Sequence, residues 1–469
     1  MHRSSAWVVA GLGFGDEGKG ALVDALVREE GASLVVRFNG GPQAAHHVVT
    51  ADGRMHCFAQ LGAGTFVPRV RTFLSRFVAL EPLALARELA VLADLGVDDA
   101  RERLHLDPRC VVVTPAHRAM NRVRELTRGA ARHGSVGLGV GEALLDAERG
   151  ALPTVTVADA ADEGALVRKL TLLARMKLDL AEQLLAARAT ELDPALETEL
   201  ETELAALRDR DLPSRFASAL IALARSVEVT REVPLGAGEH VVFEGAQGML
   251  LDRDYGFFPH VTPSRTGFAN ALELAREAHL PAPRCIGVLR AYATRHGAGP
   301  FPTEARELEL PELHNGTHRY QGAFRVGWFD AVAARYAFRS ACAAAGLAGC
   351  ELAISCLDRL ARRGATAPLR VAVAYDLDLA PGEVADLAAR AAFTERLAHV
   401  RPSYEALPAF CDADDPAAER FLARIEELVG APVSRTSWGP TALDHHERVT
   451  RAITRPRGCS TRSERTRAA

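Results

Sequence analysis

Ala6-Trp7-Val8-Val9-Ala10-Gly11-Leu12-Gly13-Phe14-Gly15-Asp16-Glu17-Gly18-Lys19-Gly20-Ala21-Leu22-Val23-Asp24-Ala25-Leu26-Val27 decides the reading of this chain. The apolar run at its start has the pattern of a buried strand, and its last seven residues read as a helix. A glycine-rich turn between strand and helix aims backbone N–H groups and the helix dipole at one point, which suits a phosphate. Gly13 to Lys19 fits the first seven positions of a P-loop, G-x-x-x-x-G-K. The eighth position departs, because Gly20 stands where Ser or Thr would hold Mg2+. Asp16, inside the loop, is then the group placed to meet the metal. A carboxylate buried among phosphate-binding amides is costly unless it ligates a cation or takes a proton. Asp16 therefore reads as a chemical residue rather than packing.

Composition sets the outer limits. The chain has 469 residues, 48% hydrophobic and 25% charged, the balance of a soluble globular protein. A formal net charge of −4 gives no reason to expect nucleic-acid binding. Met1 to Ala6 is too short to be a signal peptide ahead of the first strand. No apolar run approaches the ~20 residues of a membrane span. Cysteines 57, 110, 285, 342, 350, 356, 411 and 459 are scattered without a C-x-x-C. That usage fits a reducing cytoplasm better than a disulfide framework or a zinc site.

Further strands are expected at Ser33–Phe38, Val111–Thr114, His240–Gly245, Cys285–Tyr292, Glu351–Ser355 and Leu369–Tyr375. Residues 160–230 are rich in Ala, Leu, Glu and Arg at helical spacing and read as a helical insert. The acidic run Glu197 to Glu203 reads as a solvated helix face. Asp444-His445-His446-Glu447 reads as part of a terminal helix whose adjacent histidines point apart, not as a metal site. The expected architecture is α/β: one large domain, residues 1–454, around a mostly parallel central sheet, with a P-loop-like nucleotide site and the helical insert. The Arg/Ser/Thr-rich stretch 455–469 reads as a disordered tail.

Four blocks, in order, carry a family resemblance. They are Phe14 to Gly20, Val35 to His46, Phe243 to Asp252 with Pro259-His260-Val261-Thr262, and Tyr292 to Glu304. Together they resemble adenylosuccinate synthetase, a family of large α/β enzymes, usually homodimers, that joins IMP and L-aspartate using GTP. An amine cannot displace hydroxide from a purine 6-oxo group, so that oxygen is phosphorylated first. The resemblance implies that Asp16 is the general base that takes the N1 proton. It implies that His46 donates to the transferring phosphate and that Lys19 neutralises it. The metal is expected to be Mg2+, held by the Asp16 carboxylate and the Ala45 carbonyl.

The same resemblance implies the binding sets. Gly15 to Gly20, Ala21, Ala45, His46 and His47 fall on the GTP phosphates. Cys356, Leu357 and Asp358, with Ser437, Trp438 and Gly439, fall on its base. IMP falls to Asp16, Glu17, Gly18, Lys19, Gln43, Ala44, Ala45, His46, Ser135, Val136, Gln247 and Thr262. Arg319, Tyr320, Gln321 and Arg325 fall on aspartate.

Several positions differ from the family pattern. His47 stands for Thr, Gln43 for Asn and Val136 for a phosphate-binding Thr. Cys356 replaces the Lys that lies over guanine, and Trp438 replaces Thr. Residues 139–149 lack the family's Tyr, Lys and partner-subunit Arg, with Arg149 nearest that place. Groups that transfer phosphoryl are kept, while groups that choose substrates have drifted. A related purine-nucleotide ligase with another acceptor, amine or triphosphate is the alternative, and a non-catalytic nucleotide-binding regulator is a third. A phage branch of the superfamily lacks the loop acid, so the presence of Asp16 points to an ordinary 6-oxopurine acceptor.

Overall fold

The computed structural model describes residues 4–128, 134–187, 194–308, 310, 316, 321–364, 367–379 and 386–448. Ten strands form the central sheet among the described residues. They are β1 (Ala6–Gly11), β2 (Leu34–Arg37), β3 (Arg71–Leu74), β4 (Leu104–Leu106) and β5 (Glu228–Val229), then β6 (Val241–Gly248), β7 (Arg284–Arg290), β8 (Glu351–Ser355), β9 (Val433–Ser437) and β10 (His445–Glu447). The spatial order is β10-β9-β8-β7-β1-β6-β2-β3-β4-β5. Every neighbouring pair is parallel except β9–β10, which is antiparallel. β6 lies between β1 and β2, so segments on either side of the helical region share one sheet.

Alternation along the strands builds two cores, one on each face. Val8 and Ala10 of β1 join Phe243, Leu352 and Ile354 on one side. Trp7 and Val9 join Val35, Val242 and Ile286 on the other. The helices that position the site are α1 (Lys19–Glu30), α2 (Pro115–Arg128) and α3 (Val140–Arg149). The predicted helical insert is α4 (Glu163–Ala186), α5 (Pro194–Arg208) and α6 (Leu212–Arg225). In α5, Glu197 and Glu201 are exposed as expected, but Glu203 is buried and ion-paired to Arg122 of α2 at 2.8 Å.

Two expectations are corrected. Asp444 to Glu447 is not an α-helix. Thr441 and Asp444 form a reciprocal capping box that closes a single 3-10 turn, Ala442–Asp444. The chain then enters β10, where strand alternation buries His445 and exposes His446. Only Val111–Val112 of the expected Val111–Thr114 strand pairs, with Ala79–Leu80. Thr114 precedes Pro115, the first residue of α2, and its amide donates to His117 Nδ1 at 3.1 Å. The predicted tail, 455–469, lies outside the described residues.

Candidate active site

β1 and α1 meet at the carboxyl ends of the parallel strands, the place where open α/β sheets bind ligands. The turn between them is held from within. Glu17 is buried and accepts from the amides of Gly13 and Gly15, each at 2.9 Å, and from Lys19 Nζ at 2.5 Å. A Cβ on Gly11 or Gly248 would lie 2.4 Å from a Glu17 carboxylate oxygen, so both glycines make room for this strut. The Glu17 carboxylate and the Lys19 ammonium thus lie beneath the loop, bonded to each other. Ser355 Oγ at the end of β8 donates to the Glu17 carbonyl at 2.6 Å and ties the loop to the sheet.

Gly20 has a steric explanation. A Cβ there would sit 2.7 Å from His46 Cβ and 2.9 Å from its carbonyl carbon. A Ser or Thr at the eighth P-loop position is excluded because the strand His46–Val49 packs directly on the first turn of α1.

Asp16 holds a left-handed backbone, φ 62°, strained for a residue with a side chain. Arg290 Nε, at the end of β7, donates to its carbonyl. The side chain is half-buried. Burial raises its pKa above the usual carboxylate range, and the positive charges of Arg290 and Lys19 oppose that rise. Among the described residues no three His, Cys, Asp or Glu side chains cluster as a metal site. A hard cation here would draw on one carboxylate, backbone carbonyls such as that of exposed Ala45, and the phosphate oxygens it binds with.

His46 is buried, with its Nδ1 on Glu244 of β6. Glu244 is fully buried, accepts from the Ala63 amide at 2.9 Å, and lies in register with Arg37 of β2. Burial opposes charge on Glu244, but Arg37 and His46 hold its pKa below the usual range. Burial lowers the His46 pKa, and Glu244 opposes that shift. With Nδ1–H given to the carboxylate, Nε2 is the ring atom left for a ligand. His47 is the next residue on the strand and turns to its other face.

Gln43, Ser135, Val136, Gln247 and Thr262 line one cleft, together with Gln321 and the arginines Arg124, Arg128 and Arg295. The Oε1 atoms of Gln43 and Gln247 are buried there without a hydrogen bond, and Gln247 holds φ 63°. Orphaned acceptors suit a ligand that carries N–H or O–H donors. Ala44 is buried just beside them. The Ser135 hydroxyl is bonded to Asn121 Nδ2 at 3.0 Å.

Cys356 follows β8 and Trp438 follows β9, neighbouring parallel strands, so both segments emerge side by side. Cys356 also has a left-handed backbone, φ 59°, at the start of the helix Leu357–Ala361. Leu357 is a core side chain, which leaves its backbone for a ligand. Burial raises the pKa of Asp358, opposed by Arg362, whose guanidinium is 3.1 Å away. Ser437 Oγ donates to the Gly439 carbonyl at 3.0 Å, and Trp438 packs edge-on against Phe410.

Arg325 donates to Glu304 at 2.9 Å and to the carbonyls of Gly297 and Gly299 at 2.7 and 2.9 Å. Its guanidinium is largely taken up in holding that loop. Arg319 and Tyr320 lie outside the described residues. Arg149 is exposed at the far end of α3. Sequence reasoning gave no role to Glu244 or Arg290. Both fall inside expected strands, His240–Gly245 and Cys285–Tyr292, and a charged residue within a strand that is otherwise apolar was the available signal.

The adenylosuccinate synthetase family model matches residues 8–445. The adenylosuccinate synthetase of Thermomicrobium roseum is 35% identical, covering 92% of this chain and 96% of its own. That of Magnetococcus marinus is 32% identical, with the same two coverages. The fold is similar to fully ligated adenylosuccinate synthetase from Plasmodium falciparum, with TM-score 0.70 and 19% identity over 95% of this chain and 100% of that one. It is also similar to succinoaminodeoxyadenylate synthetase of cyanophage S-2L, bound to dGMP and dATP, with TM-score 0.57 and 18% identity over 95% of each. The chain belongs to the adenylosuccinate synthetase family.

Proposed function

We propose that this chain joins IMP and L-aspartate at the expense of GTP, giving adenylosuccinate, GDP and phosphate through a 6-phosphoryl-IMP intermediate. The observation that carries the reading is a buried histidine, His46, with its outer nitrogen left for a ligand, packed on Gly20 just after the loop that holds the half-buried acid Asp16. Asp16 takes the N1 proton, and the 6-oxygen becomes nucleophilic. That oxygen attacks the γ-phosphorus, and GDP leaves. His46, in the doubly protonated form that the Glu244 carboxylate favours, donates Nε2–H to the phosphoryl oxygens as charge moves. The amides of Gly18 and Gly20 cradle the phosphates, and Lys19, held by Glu17, supplies positive potential beneath them. The amine then displaces phosphate from C6.

Asp16 and the Ala45 carbonyl are the residues that would hold Mg2+, which neutralises phosphate charge when bound. Gln43 and Gln247 read the acceptor, supported by their orphaned oxygens. Asp358 accepts from guanine, with Ser437 to Gly439 alongside the base. Gln321, in the acceptor cleft, is assigned to the amino acid, together with Arg319 and Tyr320. The functional unit is proposed to be a homodimer. No described helix is long and apolar enough to cross a membrane.

The test is phosphate release with IMP, L-aspartate and GTP, with ATP, dATP and dGMP exchanged in turn. Release that requires all three proposed substrates supports the reading. Release with dGMP but not IMP would overturn the acceptor assignment.

A further inference from the structure

The acceptor cleft has a charged wall to which the family pattern gave no role. Arg124 and Arg128 lie four residues apart on α2, so their Cβ atoms are about 5–6 Å apart on one helix face. Both line the cleft that holds Gln43, Gln247 and Thr262. Their side chains are 32% and 33% exposed, neither sealed in the core nor free in solvent.

Each guanidinium is anchored at one nitrogen. Arg124 Nε is ion-paired to Glu142 Oε1 at 2.7 Å. Arg128 Nη1 donates to Glu125 Oε1 at 2.8 Å, and Glu125 is buried. Glu142 is itself held by Lys177 of α4 at 2.8 Å. Lys177 is 1% exposed and also meets Asp146 at 2.7 Å, and Asp146 lies 3.3 Å from His117 Nε2. A chain of alternating charge thus runs through α2, α3 and α4 and fixes the angle of Arg124. One anchored nitrogen leaves the rest of each planar fork for a tetrahedral anion.

Other candidates for that task are weaker here. The Ser135 hydroxyl is bonded to Asn121. The Val136 side chain has no polar atom. Arg149, the last residue of α3, is exposed and one turn beyond Leu145, where that helix stops lining the cleft. Arg295 spends its guanidinium on the carbonyls of Ala298 and Pro300, stacks on Phe14 at 4.1 Å, and has its pKa lowered to about 9 by burial.

We propose that Arg124 and Arg128 bind the 5′-phosphate of the acceptor nucleotide, so that this subsite is completed within a single chain. The inference rests on the acceptor reading given under Proposed function. A phosphate monoester dianion seated between two guanidiniums would take charge-assisted hydrogen bonds from both. Lys177 is the positioning residue that holds Glu142, and through it Arg124, from the helical insert.

The test uses the full chain in steady state with IMP varied, together with calorimetric titration of IMP alone. Arg124→Met and Arg128→Met each raise the KM and Kd for IMP roughly 10- to 100-fold, the loss of a charge-assisted contact. Arg→Lys at either position recovers part of that loss. The KM for GTP and kcat stay within about twofold, and inosine, which has no phosphate, competes equally well against all forms. An unchanged IMP KM, or a parallel loss for inosine and GTP, overturns the proposal. Wild type that neither binds nor turns over IMP overturns the parent reading as well, whereas active wild type with unaltered variants overturns this one alone.

Discussion

Glu244 holds His46 by its Nδ1 edge, and the two residues are 198 positions apart in the chain. The carboxylate is fully buried in β6 and receives the Ala63 amide on its other oxygen. The imidazole is therefore fixed in orientation, with Nδ1 kept protonated against the carboxylate. Glu244→Gln keeps the shape and removes the charge. It is expected to lower kcat roughly 10- to 100-fold with little change in either nucleotide KM, as for other residues that orient a working histidine. Steady-state kinetics with both nucleotides varied checks this. A Glu244→Gln enzyme with full kcat would mean that His46 works without its orienting partner.

Gly20→Ser restores the P-loop consensus and is expected to damage the protein. The new Cβ would sit 2.7 Å from His46 Cβ and 2.9 Å from His46 backbone. Overpacking of this kind costs typically about 1–3 kcal/mol. Denaturant unfolding should show that loss, and turnover should fall because His46 is displaced. A variant as stable and active as wild type would show that the strand yields freely.

Glu17→Ala removes the strut of the phosphate loop. It leaves the amides of Gly13 and Gly15 without their acceptor and Lys19 as a buried unpaired charge. Breaking a buried pair from one side costs about 3–5 kcal/mol. The unfolding free energy should drop by that order, and GTP binding should weaken because the loop loses its shape. A stability change under about 1 kcal/mol, near a typical point mutant, would contradict the strut.

Asp330 offers a pH test away from the chemistry. It caps the helix Ala331–Ala345 by accepting from the Ala333 amide at 2.9 Å, and it accepts from the Tyr375 hydroxyl. Burial raises its pKa from 3.8 to about 6. An acid whose folded pKa is raised binds its proton more tightly when folded. Its contribution to stability is therefore greatest below about pH 4, falls as pH rises through about 6, and is flat above that. Asn caps a helix about as well as Asp but does not titrate. Relative to wild type, Asp330→Asn should gain stability between pH 4 and pH 7. A difference that is constant across that window would show that Asp330 does not titrate in it.

The turn from β1 to α1 was legible because glycine spacing, an apolar strand and a lysine are local signals. The order of the blocks was legible for the same reason, since each sits at the end of a strand. What the sequence hid is what depends on distant packing. Glu17 looks like a ligand-facing residue until the fold places Gly11, Gly13, Gly15 and Gly248 around its carboxylate. Gly20 looks like a lost metal ligand until His46 is found against it. Glu244 has no local mark that ties it to His46. Arg325 reads as free to meet an anion, yet the loop carbonyls of Gly297 and Gly299 already occupy it. The Asp444–Glu447 stretch misled because its polar residues carry no local strand signal, and it is pairing with β9 that draws His445–Glu447 into the sheet.

The central claim is that the purine 6-oxygen is phosphorylated before the amine arrives. IMP labelled with 18O at the 6-position tests it in a single turnover mixture with GTP and L-aspartate, with the released phosphate examined by mass. The account predicts that the label leaves in inorganic phosphate, and that Asp16→Asn releases essentially none. Unlabelled phosphate, with the heavy oxygen recovered in water, would contradict it.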